Sequence, residues 1–187
     1  MKPVKYILLA LILFINLPTL SVKSSPGKPA EVIKPLLQKA KKGDANAQFK
    51  VGIMYHEGEG VEQNYQKALK WLELAAEQKH TEAQFKLGQI HRKGRGVPRD
   101  YKQALEWYKL AANQGHPKAQ FNLGVMYDQE QGLPHNIVGA HKWYSLAGEQ
   151  GLRLATRNRD LLAKHMTPEQ INKSKQLIKE WKKSQGK

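Results

Sequence analysis

Apolar residues along much of this chain recur at the spacing of amphipathic helices, in pairs of stripes. In the first stripe, Ala47, Val51 and Tyr55 stand at positions i, i+4 and i+8. They therefore share one face of a helix, which predicts packing against a neighbour. A second stripe follows at positions i, i+3, i+4 and i+7, and its members are Ala68, Trp71, Leu72 and Ala75. The pattern predicts two helices joined by a turn.

The two-helix pattern occurs three times, at a fixed offset of 36 residues. Its clearest marker is the triplet Ala47-Gln48-Phe49, which returns as Ala83-Gln84-Phe85 and as Ala119-Gln120-Phe121. A helical hairpin cannot bury its apolar face alone, so repeated hairpins have to stack. We therefore predict an all-α fold, a right-handed α/α solenoid of helix-turn-helix repeats. The three repeats are predicted at 47–82, 83–118 and 119–154.

Glycine also follows the repeat, and inside the first helix of each unit it stands at Gly52, Gly88 and Gly124. A mid-helix glycine costs about 1 kcal/mol relative to alanine, so its recurrence predicts that helices approach there too closely for a Cβ. Gly58 and Gly94 end the first helix, where a left-handed backbone favours glycine. Glu130 replaces them in the third repeat, which predicts either a strained left-handed residue or a different path of the chain.

Both ends depart from the repeat in ways that predict caps. The segment Leu36 to Ala40 aligns with Leu72 to Ala76 at the same offset, so residues 30–46 are predicted to form an N-terminal capping helix. Residues 155–187 are predicted to form a partial repeat followed by a C-terminal capping helix. That helix starts at Thr167-Pro168-Glu169-Gln170, with threonine at the N-cap and proline in the first helical position. Its apolar face is predicted to carry Ile171, Ser174, Ile178 and Trp181.

The repeated pattern resembles a known family. The motifs Ala-x3-Leu-Gly, Gly-x-Gly-Val and Asp-Tyr-x2-Ala-x2-Trp-x3-Ala-Ala-x2-Gly are clearest at residues 83–118. They resemble the Sel-1-like repeat, a relative of the tetratricopeptide repeat, over about residues 36–166. The resemblance implies an adaptor: many bacterial members are exported and assemble envelope complexes, tune signalling receptors or interact with host cells. Cysteine-rich relatives have been linked to penicillin binding and β-lactam hydrolysis, but this chain has no cysteine and departs from that branch.

The first residues predict export. Lys2 and Lys5 precede an apolar run from Tyr6 to Leu17, and Pro18 is followed by small residues, which is the pattern of a secretory signal peptide. The run is shorter than the roughly 20 residues that a helix needs to span a bilayer. We therefore predict a signal peptide at 1–21, a flexible leader at 22–29, no transmembrane segment in the mature chain, and a periplasmic or secreted location.

The residues offer no recognisable catalytic, metal or cofactor site. The sequence lacks cysteine, a His-Glu-x-x-His zinc motif and a Gly-x-Ser-x-Gly nucleophile motif. His80 and His116 share one repeat position just before a helix, which favours a hydrogen bond in a turn over metal binding. The strict recurrence of Trp71, Trp107 and Trp143 predicts core positions rather than a carbohydrate-stacking surface. We expect no enzymatic activity, no cofactor and no metal.

A partner surface is predicted on the first helix of each unit, at positions off the packing stripe, which in such a solenoid line the concave side. The residues at these positions vary between units, whereas those of the stripe do not, as expected of a surface that does not have to pack against a neighbouring helix. The alternative is that these positions are simply exposed to solvent and bind nothing. The residues are Asn46, Lys50, Ile53 and Glu57, then Glu82, Lys86, Gln89 and Lys93, then Lys118, Asn122, Val125 and Gln129.

A second candidate surface is basic. The segment 91–99 contains Arg92, Lys93, Arg95 and Arg99, and arginines in fixed turns can make bidentate contacts to carboxylate or phosphate; the alternative is a solvated edge. The net charge of the whole chain is +15. The excess is concentrated in residues 83–118, with eight lysines and arginines against two acidic residues, and in residues 155–187, with nine against three.

Two functions from different classes follow. The first is an exported scaffold that docks a protein segment in the concave groove. The alternative is an envelope-surface module that binds anionic lipid or polymer electrostatically through its basic edge and tail. Salt separates them, because electrostatic binding weakens with ionic strength and apolar docking does not. Nucleic acid is not an expected partner, since export removes the chain from most of it and no reading motif is present.

Overall fold

The computed structural model describes residues 29–132 and 134–186. The predicted signal peptide and all but the last residue of the predicted leader lie outside this part of the chain. The regular secondary structure of the described residues is helical throughout, which confirms the predicted all-α fold. The helices are α1 (Pro29–Lys41), α2 (Ala45–Glu57), α3 (Tyr65–Glu77), α4 (Thr81–Lys93), α5 (Tyr101–Asn113), α6 (Pro117–Asp128), α7 (Ile137–Glu149), α8 (Arg153–Ala163) and α9 (Pro168–Ser184).

The helices form stacked hairpins. Each of α2, α4 and α6 packs against the helix that follows it, and successive hairpins pack through α3 with α4 and through α5 with α6. We call α2, α4 and α6 the A helices, and α3, α5 and α7 the B helices. The helix α1 closes one end against α2, and α8 continues the stack on α7. This arrangement is the predicted solenoid of hairpin repeats.

The A helices begin two residues before the predicted start of each unit, at Ala45, Thr81 and Pro117. The reason lies in their N-caps. Asp44 accepts a hydrogen bond from the amide of Ala47 at 2.8 Å, and in the next two repeats a histidine takes over this role. A capping side chain satisfies an amide that the helix itself leaves unpaired, so the cap determines where the helix starts.

The two capping histidines confirm the predicted turn hydrogen bond. In His80, Nδ1 accepts from the amide of Ala83 at 3.2 Å, and Nε2 lies 3.1 Å from Oδ1 of Asn46. The ring of His80 stacks on Phe49 with 4.7 Å between ring centroids. Burial lowers the pKa of His80, which keeps the ring neutral and its Nδ1 available as an acceptor. One unit later, Nδ1 of His116 accepts from the amide of Ala119 at 3.1 Å, and its Nε2 lies 3.0 Å from Oε1 of Glu82.

The helical glycines mark the closest helix contacts, as predicted. A Cβ added to Gly88 would lie 2.5 Å from the ring of Tyr108, and one added to Gly124 would lie 2.5 Å from the ring of Tyr144. At Gly52 the neighbour is Leu72, at 2.7 Å. Each A helix therefore approaches its own B helix at a distance that excludes even a methyl group.

The third A-to-B turn keeps the left-handed backbone without glycine. Glu130 has φ +55°, whereas the residues at the same position in the earlier repeats, Gly58 and Gly94, have φ +75° and +68°. The first of the two predicted alternatives is therefore correct. A residue with a Cβ in this conformation costs roughly 1–2 kcal/mol, so the third turn is strained.

The tryptophan prediction is correct for one repeat and too strong for the other two. Trp143 is buried, with an exposed fraction of 7%, because Trp181 of α9 covers it with 6.3 Å between ring centroids. Trp71 and Trp107 are partly buried. Trp71 packs on the core cluster of α1 and α2, and Trp107 packs on that of α3 and α4.

The C-terminal helix starts and packs as predicted. Thr167 and Gln170 form a reciprocal capping box, in which the Thr167 amide donates to Oε1 of Gln170 at 2.9 Å. The helix then lies against α7, where Ser174 is fully buried while Ile178 and Trp181 pack on the core. The Ser174 hydroxyl shares a hydrogen bond of 2.9 Å with Nδ1 of His141, so a polar contact secures the first half of α9.

Acid should loosen this cap. Burial, Arg159 and Lys175 lower the pKa of His141, while Asp160 opposes them more weakly. Protonation of His141 therefore favours the unfolded state. The stability that neutral His141 contributes is fully present above about pH 6.5 and is lost as the pH falls through the lowered pKa. We expect His141→Gln, which keeps a hydrogen-bonding side chain but does not titrate, to lose less thermal stability between pH 7.5 and 5.

The measurement is the unfolding midpoint of both proteins by circular dichroism at each pH. The other titrating histidines are common to both proteins, so they cancel in the comparison. Equal losses in the wild type and the variant would show that His141 does not titrate against the docking of α9.

Candidate functional site

The predicted partner residues of the A helices differ in how far they are exposed. Lys50, Glu57, Lys93 and Gln129 are exposed. Ile53, Lys86, Gln89 and Asn122 are partly buried, and Val125 is buried. We define the A-helix surface as the eight exposed or partly buried members of this set. The flanking residues Asn46, Glu82 and Lys118 are also exposed.

Contacts between neighbouring A helices join this surface across the repeats. Nζ of Lys86 on α4 donates to Oε1 of Glu57 on α2 at 2.9 Å. Nη1 of Arg92 on α4 donates to Oδ1 of Asn122 on α6 at 3.3 Å, and its Nε donates to Oε1 of Gln131 at 3.1 Å. Residues that the repeat pattern placed on three separate helices therefore form one continuous polar strip.

Val125 is the member of the predicted set that does not belong to a binding surface. Its exposed fraction is 8%, and it packs in a cluster with Ala140, Tyr144 and, in the following helix, Leu162. Ile53, at the same repeat position, also packs on a core cluster. Val125 is therefore covered by its neighbours, whereas Ile53 stays partly exposed and remains in the A-helix surface.

The predicted basic run does not form a single charged edge. Arg92 is partly buried. Its guanidinium is hydrogen-bonded to Asn122 and Gln131, as described above, so it links two neighbouring repeats. Arg95 and Arg99 are exposed, and the guanidinium carbon of Arg99 lies 5.2 Å from the ring centroid of Tyr101. The run therefore divides into one structural arginine, Arg92, and three accessible cations, Lys93, Arg95 and Arg99.

A buried histidine outside the predicted set borders the A-helix surface. His56 is only 6% exposed, and both of its ring nitrogens lack a hydrogen-bond partner among the described residues. It forms the inner wall of a narrow cleft of about 20 Å³. The other residues of this cleft are Lys86, Gln89, Ile90, Lys93 and Arg95. Burial, Lys86 and Arg95 lower the pKa of His56, against the opposing effect of Glu57.

The surroundings of His56 differ from those of the equivalent residues. The same repeat position carries Arg92 and Asp128 in the next two units, and each of these lies near a tyrosine of its B helix. The hydroxyl of Tyr144 donates to Asp128 at 3.3 Å. The hydroxyl of Tyr108 has no hydrogen-bond partner among the described residues, and burial raises its pKa to about 12 against the effect of the nearby Arg92 guanidinium. In the first unit the residue at the tyrosine position is Leu72, which has no hydroxyl.

Neither a metal site nor a membrane span is found in residues 29–132 and 134–186. No group of three or more histidine, cysteine, aspartate or glutamate side chains is placed there to hold a metal ion. None of the helices in the same ranges is both long and apolar enough to cross a bilayer.

The hairpin repeats match the Sel1 repeat model at residues 45–80, 81–116 and 117–152. The chain belongs to the Sel1 repeat family. These limits coincide with the observed starts of the A helices, two residues before the predicted ones. Sel1 repeat proteins are typically non-catalytic scaffolds that mediate protein interactions. No curated protein matches the sequence.

Two solved Sel1-type structures are similar in both sequence and fold. A Sel1 repeat protein from Oxalobacter formigenes is 37% identical with a TM-score of 0.64, and the match covers 70% of this chain and 98% of that one. A protective antigen of uropathogenic Escherichia coli strains, which displays an SLR fold, is 44% identical with a TM-score of 0.63. That match covers 64% of this chain and 26% of the antigen.

A more distant similarity concerns the fold alone. Cysteine rich protein B of Helicobacter pylori is 18% identical, with a TM-score of 0.55. The match covers 72% of this chain and 96% of that protein. This chain contains no cysteine, so the stacked helical hairpins are what the two proteins share.

Proposed function

We propose that this Sel1 repeat protein is an exported scaffold that docks a segment of a partner protein on its A-helix surface. The observation that carries the proposal is the continuity of this surface. The Lys86–Glu57 and Arg92–Asn122 contacts join three repeats into one strip, while exposed Lys50, Lys93 and Gln129 remain available to a ligand. A strip of this kind fits an extended or helical peptide better than a small molecule.

Export is part of the proposal and rests on the N-terminal sequence. A charged start, an apolar run and small residues after Pro18 support cleavage near residue 21 and a periplasmic or secreted location. In that compartment the scaffold serves envelope assembly, signalling or contact with a host cell. Mass spectrometry of the chain recovered from an envelope fraction tests this step, because cleavage removes the first residues and retention leaves them.

The electrostatic alternative is supported by the C-terminal helix. Lys175, Lys179 and Lys183 are exposed at successive turns of α9. A row of like charges attracts anionic lipid or polymer, and salt screens that attraction. In this alternative the accessible arginines at the second turn add to the basic face.

A capture experiment with matched variants tests the docking surface. The first variant combines Lys50→Ala, Lys93→Ala and Gln129→Ala on the A helices. Its control combines Lys70→Ala, Lys102→Ala and Gln103→Ala, which removes the same side chains from exposed B-helix positions. We expect the amount of partner protein captured by the first variant to fall about tenfold or more, as for residues at the centre of an interface. The control should retain them.

Replacing the three exposed α9 lysines by glutamine separates the two functions. Docking on the A-helix surface predicts capture that is lost in the first variant and kept when the α9 lysines are replaced. The electrostatic alternative predicts capture that falls steeply with salt and is lost when the three α9 lysines are replaced by glutamine. Equal loss in the A-helix variant and its B-helix control would contradict the proposed surface.

A further inference from the structure

His56 is an unusual group to find without a partner. A buried imidazole nitrogen that makes no hydrogen bond carries a desolvation cost, and native structures seldom leave one unpaired. Both nitrogens of His56 are in this state among the described residues. The cleft beside the ring has room for about one water-sized atom, and the cationic side chains of Lys86, Lys93 and Arg95 surround it. Positively charged hydrogen-bond donors thus surround a space that is large enough for a single acceptor oxygen.

The chain itself shows which acceptor suits this space. Oε1 of Glu57 lies 2.9 Å from Nζ of Lys86 and 4.0 Å from Nδ1 of His56. The hydrogen bond from Lys86 lowers the pKa of Glu57, so this carboxylate is charged where it sits at the edge of the cleft. It reaches the lysine but stops short of the imidazole. A second carboxylate that replaced it could place one oxygen between the two.

We propose that the cleft beside His56 binds the carboxylate of an aspartate or glutamate side chain from the segment docked on the A-helix surface. This inference deepens the proposed function and rests on it. The incoming carboxylate displaces Glu57, which swings toward solvent, and takes its place on Lys86. One of its oxygens then accepts a hydrogen bond from the N–H of His56. The exposed Lys93 and Arg95 hold the other oxygen at the rim.

The size of the cleft favours a carboxylate over phosphate. A planar carboxylate can insert one oxygen and leave the other at the rim, whereas tetrahedral phosphate brings more oxygens into a space of about 20 Å³. The charges that face His56 are Glu57 from its own helix, Lys86 and Lys93 from α4, and Arg95 from the turn. Their sum is positive, so an added anion reduces the local repulsion.

NMR titration of the His56 ring with sodium acetate, a minimal side-chain carboxylate, tests the proposal. We expect acetate to raise the pKa of His56 in a saturable way, because the bound anion favours the imidazolium form. Sodium chloride at equal ionic strength should not do so, and phosphate should do so less. The exposed His135 and His165 report non-specific effects in the same spectra, and His56→Gln assigns the signal.

Two variants at the rim should change acetate binding in opposite directions. Lys86→Gln removes a charged donor and should weaken it about tenfold, the usual scale for a charge-assisted hydrogen bond. Glu57→Gln removes the competing carboxylate and should tighten it several-fold, roughly the scale of an exposed ion pair. Circular dichroism confirms that each variant folds, so the comparison does not depend on His56→Gln alone.

Three results would overturn the proposal. They are a His56 response that is the same in acetate and in chloride, a stronger response to phosphate than to acetate, and equal acetate binding by both rim variants. Failure here can be told apart from failure of the scaffold function. Partner capture that depends on the A-helix surface, together with a silent His56, would remove the carboxylate site and leave the docking surface in place.

Discussion

Gly96→Ala should lower the free energy of unfolding by about 2–5 kcal/mol, the largest effect that we expect from adding one methyl group. Gly96 lies in the turn of the second repeat with φ +79°, where any residue with a Cβ is strained by roughly 1–2 kcal/mol. A Cβ there would also overlap the side chain of Tyr65, at the start of the preceding B helix. Overpacking of this kind typically adds about 1–3 kcal/mol. Denaturant unfolding followed by circular dichroism measures the change.

The matched control is Gly60→Ala. Gly60 occupies the same turn position in the first repeat with φ +67°, but the nearest atom to an added Cβ is the flexible end of Met54 at 3.7 Å. The residue that corresponds to Tyr65 one repeat earlier is Pro29, so no tyrosine fills the space. The control should cost only the backbone strain of roughly 1–2 kcal/mol. Equal losses in the two variants would show that the Tyr65 contact does not restrict position 96.

This pair of glycines illustrates how much of the fold the sequence can predict. Gly60, Gly96 and Gly132 recur at the repeat offset, which is enough to predict a turn with a left-handed residue. The pattern works because each hairpin has to present the same apolar face to the next one, so packing constrains the same positions in each unit. The contact of Gly96 with Tyr65 crosses from one repeat to another and is visible only in three dimensions.

The candidate site is less predictable for a related reason. Helical periodicity assigns a residue to a face of its own helix, but it does not say which neighbouring helix covers that face. Periodicity therefore predicts Val125 on the binding surface, although Leu162 of α8 packs against its cluster. His56 shows the opposite case, because the cationic residues beside it come from α4 and the turn that follows it.

A weak signal for His56 was nevertheless present. The same repeat position carries His56, Arg92 and Asp128, so a polar or charged residue recurs beside the buried stripe in each unit. Leu72, Tyr108 and Tyr144 also share a repeat position. The first repeat thus combines a histidine with a leucine, whereas the other two combine a charged residue with a tyrosine. Comparing repeats within one chain can thus identify a candidate site where a single helical wheel cannot.

The glutamine of the Ala-Gln-Phe triplet recurs in each repeat, but the periodicity alone does not show why a polar residue is buried there. Gln120 is fully buried. Its Nε2 donates to the carbonyl of Ala112 in the preceding B helix at 3.2 Å, and its Oε1 accepts from Nε2 of Gln150, after α7, at 2.8 Å. Gln48 and Gln84 make the same pair of contacts in their own units. Each glutamine therefore ties one A helix to the helices before and after it.

Gln120→Ala should lower the free energy of unfolding by about 3–5 kcal/mol. Truncating a buried side chain of this size to alanine typically costs about 2–5 kcal/mol through the cavity that remains. The two lost hydrogen bonds add about 1 kcal/mol each in favourable cases, although the effects are not fully additive. Because Gln120 joins two repeats, the loss should appear as a lower midpoint of one cooperative transition in denaturant unfolding.

Two further variants separate the hydrogen bonds from the cavity. Gln120→Leu refills most of the volume, and the Ala112 carbonyl keeps its other hydrogen bond, from the Gly115 amide at 2.9 Å. This variant should therefore cost only about 1–2 kcal/mol, the scale of the bonds themselves. Gln150→Ala removes an exposed partner and should cost about 1 kcal/mol or less. If Gln120→Leu were as stable as the wild type, the glutamine would serve only to fill space, and the polar tie between repeats would contribute nothing to the stack.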